Sequence, residues 1–438
     1  MPTLSVIIPF DQQTRGAAAD LAQKLHGKAE VILVGEGELD LPHTNGTRVL
    51  QGVLGKGRAL KAAIPLVTGE VTVLQDPDAA YSPQVYPQLL QPIEANAADV
   101  VFAVRAGRTL SDRALSRFTH WVTEASLSDP LSGQRAFRTE ALRNLKLAST
   151  HDEVDAEIVV KLAAQLYRFA EVPVEAVPQR PLRSRLSNLR TLLRYASVQN
   201  DADNQHEGYN TLSRMESGAP NYNAYLGQRL RAHCGQRVLE VGAGIGTITA
   251  QLEEGRELVV ALEVESFYVE RLKNRFRDRP HVRPYLSDVA LADWEALQKE
   301  RFDTIVLSNV LEHIPDDAAS VRRFADILAP QGKLLVLVPA LPALYGSMDE
   351  AVGHHRRYTH DSLRTVLEEN GFTVDHLEWL NIAGIPGWFF NGRVLRRRAV
   401  PALQLRVYDQ LAPLFARVES NFRLPIGMSL FAVGVKRL

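Results

Sequence analysis

One pattern limits the folds open to this chain. Short runs of apolar, β-branched residues alternate with helical segments in two separate stretches, from Leu4 to about Val174 and from Arg237 to the end. Strands that alternate with helices are typical of α/β domains built on largely parallel sheets. Between the stretches, residues 199–205 read Gln-Asn-Asp-Ala-Asp-Asn-Gln, which favours a polar linker. The sequence therefore predicts two α/β domains, at residues 1–198 and 199–438.

The composition and the distribution of apolar residues indicate which partners and which cellular compartment to expect. Lys and Arg number 50 against 51 Asp and Glu, and this balance argues against nucleic acid as a partner. Cys234 is the single cysteine, so an internal disulfide framework and a cysteine-based zinc site are excluded. The first apolar run lacks a basic leader, and the later stretch from Leu334 to Leu344 is too short to span a bilayer. We therefore expect a cytoplasmic protein.

The second stretch contains seven strand-like runs. They are residues 237–241, 258–262, 282–286, 302–307, 333–338, 373–377 and 429–435. Because the runs are almost continuously apolar, we expect a sheet that is covered on both faces. A long helical insert, at about residues 381–424, separates the last two runs and is a candidate substrate or partner region.

Polar residues gather where these runs end. The first run leads into Gly242-Ala-Gly-Ile-Gly246, and such glycines let the backbone turn sharply and lie against a ligand. Glu263 closes the second run, where a carboxylate can accept both hydroxyls of a ribose, and Glu265 is the competing choice. Ser287-Asp288 closes the third run, where an acid can accept from an adenine amino group, and Ser308-Asn309 closes the fourth. These ends are expected to meet in one crevice.

A nicotinamide or other nucleotide site on a similar sheet is the alternative for this crevice. A dinucleotide fingerprint places its third glycine one residue later than Gly246, and the segment Leu311-Glu-His-Ile314 has no role in hydride chemistry. The spacing therefore disfavours the alternative.

Together, VLEVGAGIG, ALEVES, LSDVA and LSNVLEHIPD resemble the successive motifs of class I S-adenosylmethionine-dependent methyltransferases, over about residues 205–438. The resemblance implies a Rossmann-like domain with a seven-stranded sheet and S-adenosyl-L-methionine as cofactor. It assigns the methionine end to Glu240 and the glycines, the ribose to Glu263, the adenine to Asp288 and the wall beside the methyl donor to Asn309. The full implied cofactor set is Glu240, Gly242, Ala243, Gly244, Gly246, Glu263, Val264, Ser287, Asp288, Val289 and Asn309.

Two adjacent histidines follow the fifth run. A sulfonium is already a good leaving group, so methyl transfer needs a base only when the acceptor is a neutral hydroxyl. His354 and His355 are candidates for that base or for binding an anionic acceptor. The alternative is a helix-capping loop in which Thr359 or Asp361 caps the next helix. His313, one turn into a helix, is expected to be structural.

The first stretch presents two carboxylates after a buried run. Asp76 and Asp78 flank one residue at the end of Val73-Leu-Gln-Asp-Pro-Asp78, downstream of the basic run Gly55-Lys-Gly-Arg-Ala-Leu60. Two hard carboxylates so placed can hold Mg²⁺ or Mn²⁺, which neutralises a diphosphate leaving group. The same pattern is common in simple turns.

QDPDAAYSPQVYPQLLQPI, DPLSGQRAF and EVPV resemble family 2 glycosyltransferases of the dolichol-phosphate mannosyltransferase kind, over about residues 1–198. The resemblance implies a GT-A fold, a nucleotide-sugar donor, a divalent metal on Asp76 and Asp78, and a catalytic role for Asp78. It also implies a glycan or polyprenyl-phosphate-linked acceptor. Arg180, Arg183 and Arg185 stand where relatives carry phosphate-binding residues, and a solvated basic turn is the alternative.

This chain departs from that family at the end of the second run, where Gly35-Glu-Gly-Glu38 replaces paired aspartates followed by Gly-Ser. Two hypotheses follow. In the first, both domains act on one glycan or lipid-linked glycan; in the second, the first domain is catalytically degenerate and serves as a binding or scaffold module.

A segment of the insert combines bulky apolar and basic residues. Residues 379–390 carry tryptophan and phenylalanine and are followed by Arg393 and the run Arg396-Arg-Arg398. Such a segment can rest on an anionic lipid surface, which would make the protein peripheral at the inner face of the membrane. A lid over the acceptor pocket or a dimer contact is the alternative.

Overall fold

The computed structural model describes residues 3–39, 46–77, 81–123, 125–175, 182–196, 209–397, 400–422 and 425–437. Two compact units are present, Met1–Gln205 and His206–Leu438. Each contains one β-sheet with helices packed against it. The predicted linker at residues 199–205 lies outside the described residues.

The sheet of the first unit has seven strands in the described residues, in the order β3-β2-β1-β4-β6-β5-β7. Strand β6 runs antiparallel to its neighbours, and the other pairs are parallel. The strands are β1 (Leu4–Phe10), β2 (Glu30–Gly35), β3 (Thr47–Leu50), β4 (Val71–Gln75), β5 (Val100–Arg105), β6 (Gln134–Arg138) and β7 (Phe169–Val174).

Helices cover both faces of this sheet, which explains why its central strands are apolar at successive positions. Val6 and Ile8 pack into one core, and Ile7 packs into the core on the opposite face. The helices are α1 (Arg15–Leu25), α2 (Lys56–Ala63), α3 (Tyr86–Glu94), α4 (Leu110–Thr123), α5 (Thr139–Arg143), α6 (Val154–Ala164) and α7 (Leu182–Ala196).

The second sheet also has seven strands in the part of the chain that the structure describes, in the order β10-β9-β8-β11-β12-β14-β13. Strand β14 is antiparallel to both neighbours, and the other pairs are parallel. The strands are β8 (Arg237–Val241), β9 (Leu258–Glu263), β10 (Val282–Leu286), β11 (Thr304–Ser308), β12 (Lys333–Pro339), β13 (Phe372–Leu380) and β14 (Ser429–Lys436).

Ten helices accompany this sheet in the described residues. They are α8 (Tyr209–Gly218), α9 (Pro220–Arg231), α10 (Thr249–Leu252), α11 (Ser266–Arg275), α12 (Trp294–Lys299), α13 (Asp317–Ile327), α14 (Ser347–Ala351), α15 (His360–Glu369), α16 (Gly384–Trp388) and α17 (Ala402–Asn421). The order of strands reverses between β8 and β11. In such sheets the crevice at the carboxyl ends of these two strands is the usual ligand site.

The predicted insert between β13 and β14 is helical. It contains α16, a π-helical segment at Phe389–Val394, and α17, which packs against α8 and α9. Polar contacts fix α17 to α9, among them a buried one from Tyr225 Oη to Glu419 Oε2 at 2.8 Å and a partly buried one from Asn221 Nδ2 to Asp409 Oδ2 at 3.0 Å. Among the residues described, no helix combines the length and the apolarity needed to cross a bilayer.

Candidate functional site

The loop after β8 depends on three glycines in left-handed backbone conformations. Gly242, Gly244 and Gly246 have φ of +70°, +55° and +82°. A Cβ on Gly242 would lie 2.5 Å from Cγ2 of Val310, so space as well as conformation excludes a larger residue. The amides of Gly242 and Ala243 donate to the carbonyl oxygen of Leu262, at 2.9 and 3.1 Å, and tie the loop to β9.

Glu263 lies against this loop as the last residue of β9 and is buried. Its Oε2 accepts the amide of Gly244 and its Oε1 accepts that of Val264, each at 2.8 Å. Burial raises the pKa of Glu263, while these amides favour its charged form. The amide of Glu265, the competing choice, lies 3.3 Å from the same Oε1. Carboxylate oxygens have further lone pairs, so this fixed group can also accept from a diol.

Glu240 lies behind the glycine loop on β8, and only 2% of it is exposed. Its Oε2 accepts the hydroxyl of Thr249 at 2.6 Å. Burial, reinforced by the charge of Glu263, raises the pKa of Glu240 to about 7. A carboxyl with a pKa near neutrality releases its proton when a cation binds beside it.

The remaining predicted cofactor residues lie in the loops after β10 and β11. Ser287 donates its amide to the carbonyl oxygen of Glu263 at 2.9 Å, which fixes the start of the first loop. Asp288 is exposed, and its Oδ1 accepts the amide of Ala290 at 2.7 Å; Val289 is half-buried. Asn309 is exposed at φ +53° and donates its amide to the carbonyl oxygen of Leu337 at 2.8 Å. All the predicted cofactor residues thus lie on β8 or β9 or in the loops at the carboxyl ends of four neighbouring strands.

A group of acids and histidines, here called the histidine cluster, joins the loops after β11 and β12. Its members are Glu312, His313, Asp349, His354 and Arg357. His354 Nδ1 lies 2.8 Å from Asp349 Oδ1, and its ring centroid lies 4.8 Å from that of His313. Its Nε2 lies 3.6 Å from Glu312 Oε1. Arg357 Nε donates to Asp349 Oδ1 at 2.7 Å.

The two acids of the cluster differ in their surroundings. Although burial opposes ionisation of Asp349, hydrogen bonds from His354 and Arg357 lower its pKa. Glu312 is fully buried, and neither of its side-chain oxygens has a hydrogen-bond partner among the residues described. Burial raises the pKa of Glu312 to about 8 and, together with His354, lowers that of His313 to about 4. At neutral pH, Glu312 therefore holds its proton and His313 is neutral.

The two histidines predicted as candidates for a base or for binding an anionic acceptor occupy different environments. His354 belongs to the cluster, whereas His355 is exposed and donates its amide to the carbonyl oxygen of Glu312 at 2.9 Å. Thr359 also caps α15, because its Oγ1 accepts the amide of Ser362 at 3.0 Å. The same loop therefore caps α15 and holds His354 in the histidine cluster. Sequence reasoning assigned no role to Glu312 or Asp349, and an acid directly before His313 was the one signal available.

In the first unit, Asp76 pairs with a lysine from the basic run. Its Oδ1 lies 2.7 Å from Nζ of Lys56, which also donates to Asp155 Oδ2 at 3.1 Å. Asp76 donates its amide to the carbonyl oxygen of Gly133 at 2.8 Å, and a Cβ on Gly133 would overlap its carboxylate. Sequence reasoning noted this run but gave Lys56 no role.

Some of the predicted site residues of the first unit lie outside the part of the chain that the structure describes. Asp78 and Arg180 lie outside the described residues, and the side chains of Arg183 and Arg185 lie outside them too.

The sequence matches two protein families. One, described as a methyltransferase domain, matches residues 195–377, and the other, glycosyl transferase family 2, matches residues 47–157. An uncharacterised methyltransferase of Mycobacterium tuberculosis is 30% identical over 109 residues, which cover 25% of this chain and 53% of that protein. The ubiquinone biosynthesis O-methyltransferase of Xanthomonas euvesicatoria is 32% identical over 114 residues, 26% of this chain and 46% of that enzyme. The chain spans about half the length of these curated relatives.

Among solved structures, glucosyl-3-phosphoglycerate synthase from Mycobacterium tuberculosis is similar to this chain. The form solved with Mn²⁺, uridine-diphosphate-glucose and glycerol 3-phosphate has a TM-score of 0.36 and 23% identity, and the match covers 44% of this chain and 80% of that one.

Proposed function

We propose that this chain, which contains a methyltransferase domain and a glycosyltransferase family 2 domain, transfers a methyl group from S-adenosylmethionine and a sugar from a nucleotide-sugar. We propose a glycan or a lipid-linked glycan as the common acceptor. The observation that carries the first activity is the carboxylate of Glu263, which two backbone amides hold at 2.8 Å against the glycine loop.

The residues of the crevice fit S-adenosylmethionine in charge and in hydrogen-bonding capacity. Glu263 can accept both ribose hydroxyls, and the exposed Asp288 can accept an adenine amino group. Glu240, with a pKa of about 7, can become a carboxylate beside a positively charged methionine moiety. When bound, S-adenosylmethionine supplies an electrophilic methyl group with a neutral thioether as leaving group. The chain contributes alignment of the acceptor with that methyl group.

The acceptor is proposed to lie on the side of the crevice where the histidine cluster joins the loops after β11 and β12. One relative is named an O-methyltransferase, which supports an oxygen atom as acceptor. Asp349 fixes His354 through Nδ1 at 2.8 Å and leaves Nε2, which lies 3.6 Å from Glu312 Oε1, as the nitrogen proposed to face the acceptor. His355, which is exposed, remains a proposal for binding an anionic group of the acceptor.

For glycosyl transfer we propose that Asp76 and Asp78 hold Mg²⁺ or Mn²⁺ beside the diphosphate of the donor. Asp76 fits this role because 27% of its side chain is exposed while Lys56 holds its Oδ1 at 2.7 Å. The cation would supply positive charge to the departing diphosphate. Lys56 is placed to orient Asp76, and Asp78 is the residue proposed to act with it.

The insert is proposed to help recruit a polyprenyl-phosphate-linked acceptor. Phe389 and Phe390 are exposed on the π-helical segment, and Arg393 and Arg396 follow them as further exposed residues. An apolar and basic surface of this kind suits contact with the headgroups of anionic lipids.

Calorimetric titration with S-adenosylhomocysteine tests the first activity, with the wild type compared with Glu263→Ala and Asp288→Ala. Binding by the wild type and its loss in both variants supports the proposal, and absence of binding by the wild type refutes it. Titration with UDP- and GDP-sugars in the presence of Mn²⁺ tests the second activity, with Asp78→Ala as the variant. If no donor binds, the first domain is a binding or scaffold module.

A further inference from the structure

We propose that Glu312, His313 and His354 form a binding site for a divalent transition-metal cation in the methyltransferase domain. One ligand atom from each of the three side chains lies within 4.8 Å of the others. Glu312 and His313 lie in a short 3₁₀ turn, Leu311–His313, in the loop after β11, and His354 comes from the loop after β12, so two neighbouring strands bring the three together. This site is separate from the one predicted at Asp76 and Asp78.

The strongest sign of a missing partner is the carboxyl group of Glu312. The residue is fully buried, and neither oxygen has a hydrogen-bond partner among the described residues. A buried polar group left without a partner costs about 1–3 kcal/mol, and more when it is charged. In a purely structural core an apolar residue of the same size would be more favourable than an unpaired acid. A cation beside the carboxylate would supply the partner.

The ligand atoms lie close enough to converge on one ion after a local movement. Imidazole nitrogens and carboxylate oxygens bind zinc at about 2.0–2.2 Å in a tetrahedral arrangement, so two ligands of one ion lie about 3.4 Å apart. The three ligand atoms lie within 4.8 Å of one another, so the widest pair would have to approach by up to about 1.4 Å when a cation binds. His354 Nε2 and Glu312 Oε1, at 3.6 Å, already have a spacing that a shared ion requires.

His354 is also oriented as a metal ligand would be. Metal-binding histidines usually donate their second ring nitrogen to a carboxylate, which fixes the tautomer and the ring. Here Asp349 Oδ1 lies 2.8 Å from Nδ1 of His354, and Asp349 is itself fixed by Arg357 Nε at 2.7 Å. Trp388 Nε1 adds a contact of 3.3 Å to the other oxygen of Asp349. Nε2 of His354 is therefore the nitrogen left for a cation.

The ligand types indicate which cations fit. Two imidazoles and one carboxylate suit Zn²⁺, Mn²⁺ and similar transition metals, whereas Mg²⁺ and Ca²⁺ prefer oxygen ligands throughout. Three protein ligands leave positions open for a further ligand, which is the arrangement of catalytic sites.

The role of this cation, unlike its binding, rests on the proposed methyl transfer to an oxygen. An acceptor hydroxyl in an open position would have a lowered pKa and would release its proton to water. The acceptor oxygen then bonds to the methyl carbon as the carbon–sulfur bond breaks, and the electron pair of that bond passes to sulfur to give the thioether. In this account His354 positions a cation and does not remove the proton itself.

Metal titration of the full chain tests the inference. The background is Asp76→Asn with Asp78→Ala, which removes the predicted site of the first domain, and the protein is freed of metal with a chelator. We expect one equivalent of Zn²⁺ or Mn²⁺ to bind by calorimetry and no binding in Glu312→Gln. Asp349→Asn should weaken binding by about 10–100-fold, as loss of such an orienting partner does. His376→Gln is the matched control, because His376 Nε2 also lies near a carboxylate, 3.3 Å from Glu378 Oε1, but outside the cluster.

Cobalt(II) gives a second readout that does not depend on activity. Its visible absorption should appear on titration of the background protein and be absent in Glu312→Gln and in His354→Gln. Thermal unfolding of each variant shows whether the chain has folded.

The outcomes separate the two proposals. Absence of metal binding in folded background protein, or binding that survives Glu312→Gln, overturns the cation site. If S-adenosylhomocysteine still binds in that case, the proposed methyl transfer stands without the cation. If metal binds but S-adenosylhomocysteine does not, the cation site stands and the proposed methyl transfer fails.

Discussion

Replacing Glu263 by glutamine is the most direct test of the cofactor crevice. The carboxylate of Glu263 accepts amides of Gly244 and Val264, each at 2.8 Å, so its position is fixed before a ligand binds. Glutamine has a similar shape but loses the charge and turns an NH₂ group toward one of its donors. Hydrogen bonds to a charged group contribute about 1.5–3 kcal/mol each. With two ribose hydroxyls affected, we expect a loss of about 3 kcal/mol, or about 100-fold in the Kd for S-adenosylhomocysteine.

The matched control is Glu265→Gln, two residues further along the chain. Glu265 is half-buried and was the competing choice for the ribose, so the same chemical change is made at a neighbouring carboxylate. We expect its Kd to stay within about threefold of the wild type, a change below 1 kcal/mol. Calorimetric titration at one pH and one salt concentration gives both values. Thermal unfolding separates lost binding from a disturbed glycine loop.

Two results would refute this reasoning. Wild-type affinity in folded Glu263→Gln would mean that the carboxylate only supports the loop. A larger loss in Glu265→Gln than in Glu263→Gln would move the ribose contact to Glu265.

Three further predictions concern the loop, a buried acid and the first domain. Gly242→Ala should lower the free energy of unfolding by more than the about 1–2 kcal/mol of left-handed backbone strain, because its Cβ would lie 2.5 Å from Val310. Gly255→Ala is the matched control, because Gly255 has φ +73° but nothing lies within 4 Å of a Cβ there. Chemical denaturation should show that this variant loses only the free energy of the backbone strain. Burial raises the pKa of Glu240 from 4.5 to about 7, so the folded state holds an extra proton between these values. The stability that Glu240 contributes is therefore fully present below pH 4.5 and is lost as the pH rises through about 7. The total loss in the free energy of unfolding is about 3 kcal/mol. Urea unfolding across this range should show the slope in the wild type and not in Glu240→Gln. Asp76→Asn should abolish Mn²⁺-dependent binding of a nucleotide-sugar by calorimetry and leave the Kd for S-adenosylhomocysteine unchanged, whereas equal nucleotide-sugar binding in both proteins would contradict the metal assignment.

The fold class could be predicted from the sequence because buried strands appear there as short, almost continuously apolar runs. Each predicted run of the second stretch coincides with a strand, and the largest shift at a strand end is at β13, where Phe372–Leu380 extends the predicted run. The α/β fold class is confirmed, because each of the two units contains a seven-stranded sheet in the described residues, and the methyltransferase and glycosyl transferase family 2 matches lie at residues 195–377 and 47–157. Which strands run antiparallel was not predictable in the same way, because β14 is as apolar as the parallel strand β12, and the polar residues Gln134 and Arg135 of β6 are buried like the apolar residues of β4.

The crevice for which we propose a cofactor could be predicted in part for a related reason. Its residues follow strand ends at fixed spacings, and the carboxyl ends of parallel strands meet at one edge. No local sequence pattern of this kind predicts the histidine cluster. Glu312 and Asp349 are far apart in sequence, and the contact between Lys56 and Asp76 likewise depends on how α2 packs against β1 and β2 of the sheet. Distances of this kind follow from tertiary packing and not from local pattern.

The contrast between two acids in one cluster bears on what the cluster is for. Asp349 accepts from His354 Nδ1, from Arg357 Nε and from the amide of Gly346, at 2.8, 2.7 and 3.0 Å, so its charge is fully supported. Glu312 lies in the same cluster with no hydrogen bond to either oxygen in the described part of the chain. A fold that supplies so many partners to one acid has the means to satisfy the other. In the proposed cation site Asp349 is therefore a positioning residue for His354, and Glu312 is a residue that binds the cation directly.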